Sequence, residues 1–238
     1  MYGIEFNGKH SYKDFGITLG TKKEIGYPSK EKIKVKVPFS NMEYDFSELY
    51  GSQTYTNRTL TYTLNILERH KINTTEKINL IETKISNWLM NSNGKQKLYD
   101  DAIPGYYYLA EVEGGLNFDE LWNYGTLTVV FTAYPFMIAE LKEGHDIWDE
   151  FNFELDVAQD VDFEVHGEKE ITLINPGTPD VSPEITAYSP MEIIKNGITY
   201  NIQSGKSKSL DFILKSGEND LTITGNGTIK FLFHKELI

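Results

Sequence analysis

Leu60-Thr61-Tyr62-Thr63-Leu64-Asn65-Ile66-Leu67 sets an apolar or aromatic side chain at every second position from Leu60 to Ile66. A two-residue period puts Leu60, Tyr62, Leu64 and Ile66 on one face of an extended chain and Thr61, Thr63 and Asn65 on the other, so the segment reads as a strand with one buried face. The pattern recurs upstream, where Ile33, Val35 and Val37 alternate with lysines, and residues 126–132 form a short apolar run rich in β-branched side chains. One segment breaks this period. Across 74–90, Ile78, Ile81, Ile85, Trp88 and Leu89 follow helical spacing, and Asn73 and Glu76 stand where a cap and its reciprocal partner belong. Asn91-Ser92-Asn93-Gly94 supplies the stop, since Asn and Gly tolerate the left-handed conformation of a helix end. The first part of the chain is therefore expected to be a β domain carrying one amphipathic helix.

Further along the composition changes. Of the 238 residues, 35 are Asp or Glu and 23 are Lys or Arg, a net charge of −12, and residues 139–170 alone hold twelve acids against two lysines. Within that stretch Phe151, Phe153, Leu155 and Val157 alternate with polar residues, as do Val161, Phe163 and Val165, which predicts two strands with one acidic face each. These strands mark a boundary between domains expected at 1–137 and 138–238. Beyond residue 166 no helical period remains. Asn196-Gly197 and Asn226-Gly227 both lie between apolar runs and read as hairpin turns, because a type I′ turn needs positive φ at both central residues. Pro176, Pro179, Pro183 and Pro190 belong at turns or edges. The second domain is expected to be an antiparallel β-sandwich or jelly roll.

The composition also excludes functions. There is no Cys, hence no disulfide scaffold and no thiolate chemistry. A charge of −12 with only Arg58 and Arg69 as guanidinium donors argues against specific nucleic-acid binding. No run of about 18 apolar residues predicts a membrane span, and Met1 to Gly8 does not read as a secretory leader. Phosphate-cradling glycine loops, His-Glu-x-x-His and Gly-x-Ser-x-Gly are absent. His10, His70, His145, His166 and His234 are scattered singly. Asp160, Asp162 and Glu164 share a strand face, but side chains two apart lie about 7 Å from each other, too far for one calcium ion without other loops. No catalytic, cofactor-binding or metal-binding residue is assigned. Trp88 fits the buried stripe of the helix, whereas Trp122 and Trp148 fall outside the expected sandwich, which is thus left without Trp or Arg for sugar stacking. Tyr106, Tyr107 and Tyr108 cannot all face one way on a strand, and core or subunit packing is their expected role.

Three stretches carry a resemblance. Residues 2–17, from Tyr2-Gly3-Ile4-Glu5-Phe6-Asn7-Gly8 to Phe15-Gly16-Ile17, resemble the opening of the distal tail protein family, Dit, of long non-contractile phage tails. Ile66-Leu67-Glu68-Arg69, the helix ending in Trp88-Leu89-Met90, Lys97-Leu98-Tyr99-Asp100-Asp101 and the stretch from Tyr106 to Val112 are similar to that family's helix and following hairpin. The stretch from Gly125 to Phe136 resembles the strand and Pro-aromatic step closing its first domain. The resemblance covers residues 1–136, and the rest only in layout. It implies a hexameric ring formed by the first domain and a galectin-like or carbohydrate-binding-module-like second domain. It further implies a virion protein, made in the host cytoplasm, that joins the tail-tube protein to a tail-associated hub or fibre protein, without catalysis or cofactor. DNA would pass through the ring, and an acidic lining would repel it rather than hold it. Residues 74–90 and the hydrophilic stretch 42–57, read as an arm wrapping a neighbour, are the candidate subunit contacts. The alternatives are a carbohydrate- or receptor-binding module for host adsorption and a glycan hydrolase with dispersed carboxylates.

Overall fold

The computed structural model describes residues 2–49, 51–66, 75–121, 124–148 and 151–238. It divides into two units, Met1–Met137 with Ile238, and Ile138–Leu237. In chain order the first contains β1 (Ile4–Phe6), β2 (Lys9–His10), α1 (Ser11–Phe15), β3 (Thr18–Ile25), β4 (Lys34–Lys36), β5 (Glu43–Asp45), β6 (Arg58–Ile66), α2 (Thr75–Met90), β7 (Gln96–Asp100), β8 (Tyr106–Glu111), β9 (Asn117–Leu121) and β10 (Tyr124–Ala139), whose last two residues belong to the second unit.

The alternation at residues 60–66 is realised residue by residue. Arg58, Leu60, Tyr62, Leu64 and Ile66 are buried and the threonines between them are not. β6 lies between β3 and β10 in a sheet ordered β2-β1-β7-β8-β10-β6-β3, with β9 on β10. Its antiparallel ladder with β10 sets Leu60 opposite Phe131 and Leu64 opposite Leu127. α2 lays Ile85, Trp88 and Leu89 into the core made by this sheet face. Burying each such side chain is worth about 1.5–3 kcal/mol. Trp88 also donates its Nε1–H to the Phe6 carbonyl at 2.7 Å and stacks on Phe15 at 4.8 Å. The helix begins at Thr75 and ends at Met90, with Gly94 at φ 68° beyond it, while Asn73, the expected cap, lies outside the described residues.

Two buried polar knots fix this unit. At α1 the His10 Nδ1 accepts from the backbone N–H of Tyr12 and Lys13, and its Nε2 lies 3.1 Å from Asp101. A Cβ on Gly3 would lie 2.5 Å from the His10 ring, so this close approach needs glycine. Deeper in, the Asp100 carboxylate pairs with Lys23 and accepts from the Tyr62 hydroxyl at 3.0 Å. Burial, then the neighbouring Asp100 charge, pushes the Tyr62 hydroxyl far up from its ordinary value.

The second unit holds β11 (Asp162–Asn175), β12 (Glu184–Ala187), β13 (Met191–Lys195), β14 (Ile198–Ile202), β15 (Gly205–Ser207) and β16 (Gly217–Leu232). Its sheet runs β14-β13-β16-β12-β15, with β11 along the other side of β16. Asn196 at φ 50° and Gly197 at φ 76° make the expected hairpin between β13 and β14. The second expected hairpin is corrected: Asn226-Gly227 lies inside a continuous β16 that pairs with β11 from Asn175–Gly217 to Asp162–Lys230. Asn226 lacks the positive φ a type I′ turn requires, and the strand runs on through the glycines. Gly225 and Gly227 have φ of 147° and 131°, and between Gly225 and Ile229 β16 exchanges β13 for β12 as its other neighbour. A Cβ on Gly225 would lie 2.9 Å from the Met191 Cγ.

The strand expected at residues 151–157 is also corrected. Only the later one, with Val161, Phe163 and Val165, forms, mostly within β11. In residues 151–157 polar side chains compete for the backbone: Asp156 accepts from the Asn152 N–H at 2.7 Å and Asn152 accepts from the Glu154 N–H at 2.9 Å, which closes a turn. Lys235, 2% exposed, pairs with Asp156 and donates to the Leu155 carbonyl at 3.1 Å. Burial holds the Lys235 ammonium below, and the Glu143 carboxyl above, their ordinary ranges. Gln159 joins this knot to the sheet, donating to Glu143 at 3.2 Å and to the Ile174 carbonyl at 2.7 Å.

Candidate functional site

The residues weighed for chemistry do not come together. His10 caps α1, His145 accepts from the Ile147 N–H, His166 sits exposed beside Glu164, His234 lies 2.9 Å from the Ala139 carbonyl, and His70 falls outside the described residues. Asp160, Asp162 and Glu164 are exposed, and Asp162 faces Lys230 at 3.7 Å. Among the described residues no group of three His, Cys, Asp or Glu could hold a metal ion. Ser11, His10 and Asp101 are neighbours but form no nucleophilic relay, because the Ser11 hydroxyl accepts from the Ile4 N–H and the His10 Nδ1 faces backbone N–H groups. Trp88 is buried in the core, Trp122 is outside the described residues, and Trp148 is exposed within the second unit. The sheet of that unit carries no Trp, yet the unit does, which corrects the reading that this module offers none. Tyr107 and Tyr108 are both buried; Tyr108 joins the main core, while Tyr107 pairs with Tyr99 and Lys97.

What stands out is a surface. From Tyr27 to Asn57 none of the described residues is buried. The two halves pair along a two-stranded arm: Thr56 donates to Ser29, Glu31 to Thr54 and Phe46 to Ile33, then β4 meets β5, and Val37 donates to Met42 at the tip. At about 3.3 Å per residue the arm is roughly 30 Å long. The register decides its character. Val35 lies opposite Tyr44, Lys34 opposite Asp45 and Lys36 opposite Glu43. Ile33, Val35, Val37, Met42, Tyr44 and Phe46 therefore share one face, and Lys34, Lys36, Glu43 and Asp45 the other.

The charged face is internally matched. Lys34 meets Glu43 at 2.7 Å and Lys32 meets Asp45 at 3.1 Å. Ser47 donates its hydroxyl and its N–H to Asp45, and with Lys32 alongside this holds the Asp45 carboxyl down at about 2. The apolar face has no such partner: Ile33, Val35, Met42, Tyr44 and Phe46 are all exposed. At the tip Phe39 is fully exposed and adopts φ 58°, a left-handed conformation that costs a non-glycine residue about 1–2 kcal/mol. The root is firmer, since Arg58 is buried, donates to the carbonyls of Gly26 and Pro135, and lies over the ring of Tyr108 at 5.2 Å.

An isolated two-stranded ribbon is marginal in water, and a face of six apolar side chains gains most when something covers it. Sequence reading placed Ile33, Val35 and Val37 on a strand and took 42–57 as a hydrophilic arm, without seeing that the arm has an apolar face. The missed signal was Met42-Glu43-Tyr44-Asp45-Phe46, which alternates as clearly as residues 60–66 do.

No protein-family model and no curated protein matches the chain. Among solved structures, the Dit protein of phage SPP1, described as a paradigm of the hub adsorption apparatus of phages infecting Gram-positive bacteria, matches over 100% of both chains with a TM-score of 0.68 at 12% identity. The chain has the fold of a phage Dit protein. A chain of the phage p2 baseplate, in its activated conformation with Sr, aligns over 99% of this chain and 96% of its own length at 8% identity with a TM-score of 0.41.

Proposed function

We propose that the chain is a structural component of a phage tail tip, a Dit-type hub whose copies close into a hexameric ring between the tail tube and the tip or baseplate proteins. The observation carrying this is the full-length match to a hub adsorption protein. The uncovered hairpin face supports it. In a ring each copy gives one surface and receives another, so an arm that cannot cover itself suits a head-to-tail contact with the next subunit. Obligate interfaces of this kind exceed about 2,000 Å² and are rich in apolar side chains. The protein acts without catalysis or cofactor, resides in the virion after synthesis in the host cytoplasm, and lets DNA pass without binding it.

Light scattering across a wide concentration range, with negative-stain microscopy of the same samples, tests the reading. A six-fold ring is expected, with Val35→Asp and Tyr44→Asp together reducing it to monomers of unchanged secondary structure. A chain that stays monomeric at every concentration, even with the tail-tube protein present, would refute the ring. A ring indifferent to the double substitution would refute the arm's part in it.

A further inference from the structure

A second uncovered surface lies at the entry to the second unit and differs in kind from the arm. Trp148 is 67% exposed and Phe153 82%, with Ile147 and Leu155 exposed beside them. The rings form a chain, Trp148 to Phe151 at 5.4 Å and Phe151 to Phe153 at 5.2 Å. This strip is held in place: Phe151 donates to the Trp148 carbonyl, the Asn152–Asp156 turn follows, and buried Lys235 grips Leu155 and Asp156 from beneath.

In sequence the rings are flanked by carboxylates, Asp146 two residues before Trp148 and Glu154 next to Phe153, and both are exposed. Of the two lysines of 139–170, Lys169 donates to the Glu164 carbonyl and lies over Phe163. Aromatic faces attract cations, and carboxylates at their rim strengthen that preference.

We propose that the Trp148–Phe151–Phe153 strip is a docking surface for a cationic protein segment of mixed Arg or Lys and apolar side chains, which places its cations over the rings and against Asp146 and Glu154. A second copy of the strip is a poor occupant, because a two-fold contact would set these carboxylates against themselves. The inference does not rest on the hub reading and survives its failure.

The probe is a labelled twelve-residue peptide alternating Arg and Leu, titrated with the full-length protein by fluorescence anisotropy, beside its Glu/Leu and Arg/Ser counterparts. The Arg/Leu peptide is expected to bind saturably and at least tenfold tighter than either counterpart. Trp148→Ala and Glu154→Lys, both at exposed positions, should each weaken it about fivefold or more, while Glu192→Lys on β13, with the same charge change, should not. Equal weakening by Glu192→Lys would reveal only general attraction to an acidic protein and overturn the proposal. So would equal binding of the counterparts, self-association lost in Trp148→Ala, or a neutral saccharide whose saturable binding depends on Trp148.

Discussion

Asp45 shows how much a single exposed turn can do to a carboxyl. Two hydrogen bonds from Ser47 and the nearby Lys32 hold it at about 2, against about 3.9 unfolded. A lowered carboxyl contributes stability that is complete above its unfolded value and is lost as pH falls through its folded one, so the arm should loosen between about pH 4 and pH 2. Carbon-detected NMR titration of the Asp45 carboxyl should show a midpoint near 2, rising towards the ordinary range in Ser47→Ala. In the core, Trp88→Phe keeps most of the ring packing but strands the Phe6 carbonyl that accepts the indole N–H. Leaving that acceptor unpaired should cost about 1–3 kcal/mol, seen as a lower denaturation midpoint at unchanged m-value. The buried place of Trp88 was legible from its spacing to Ile85 and Leu89. Its bond to Phe6 was not, because a contact across so much chain leaves no local pattern.

Elements were readable where one period governs burial. β6, the body of α2 and the Asn196-Gly197 hairpin follow from alternation, helical spacing and positive φ, each a local rule. Residues 151–157 defeated the same rule because Asn152 and Asp156 bond to the backbone and Lys235, distant in sequence, claims the turn. Asn226-Gly227 defeated it because β11 supplies an unbroken partner, so the strand continues where sequence suggests a reversal. Gly225→Ala should therefore weaken β16 through both φ strain and the Met191 contact, by about 1–3 kcal/mol, measurable as a lower melting temperature of the second unit. The arm gives the opposite expectation. Phe39→Gly relieves the left-handed backbone at the tip and should leave the monomer at least as stable, while weakening the proposed ring in sedimentation.

At the scale of the molecule, two units with separate cores should not unfold as one. Calorimetry should resolve two transitions, and Lys235→Ala, which leaves Asp156 without its cation, should lower only the second unit's by about 3–5 kcal/mol. The mainly β class was legible in the sequence, as was the acidic stretch. The two uncovered faces were not, since whether an apolar face is covered depends on the rest of the chain rather than on its own spacing. β16 has one more consequence, in time rather than space. It is the last of its sheet's strands to be synthesised and the neighbour of β11, β12 and β13 alike. Strands β1 to β10 can find one another while the chain is still growing, but β11 waits on the ribosome with Ile171 and Leu173 uncovered until residues 217–232 emerge. Nascent chains stalled before residue 217 should accordingly bind hydrophobic dyes and chaperones, and the second unit should close in a single late step when β16 arrives.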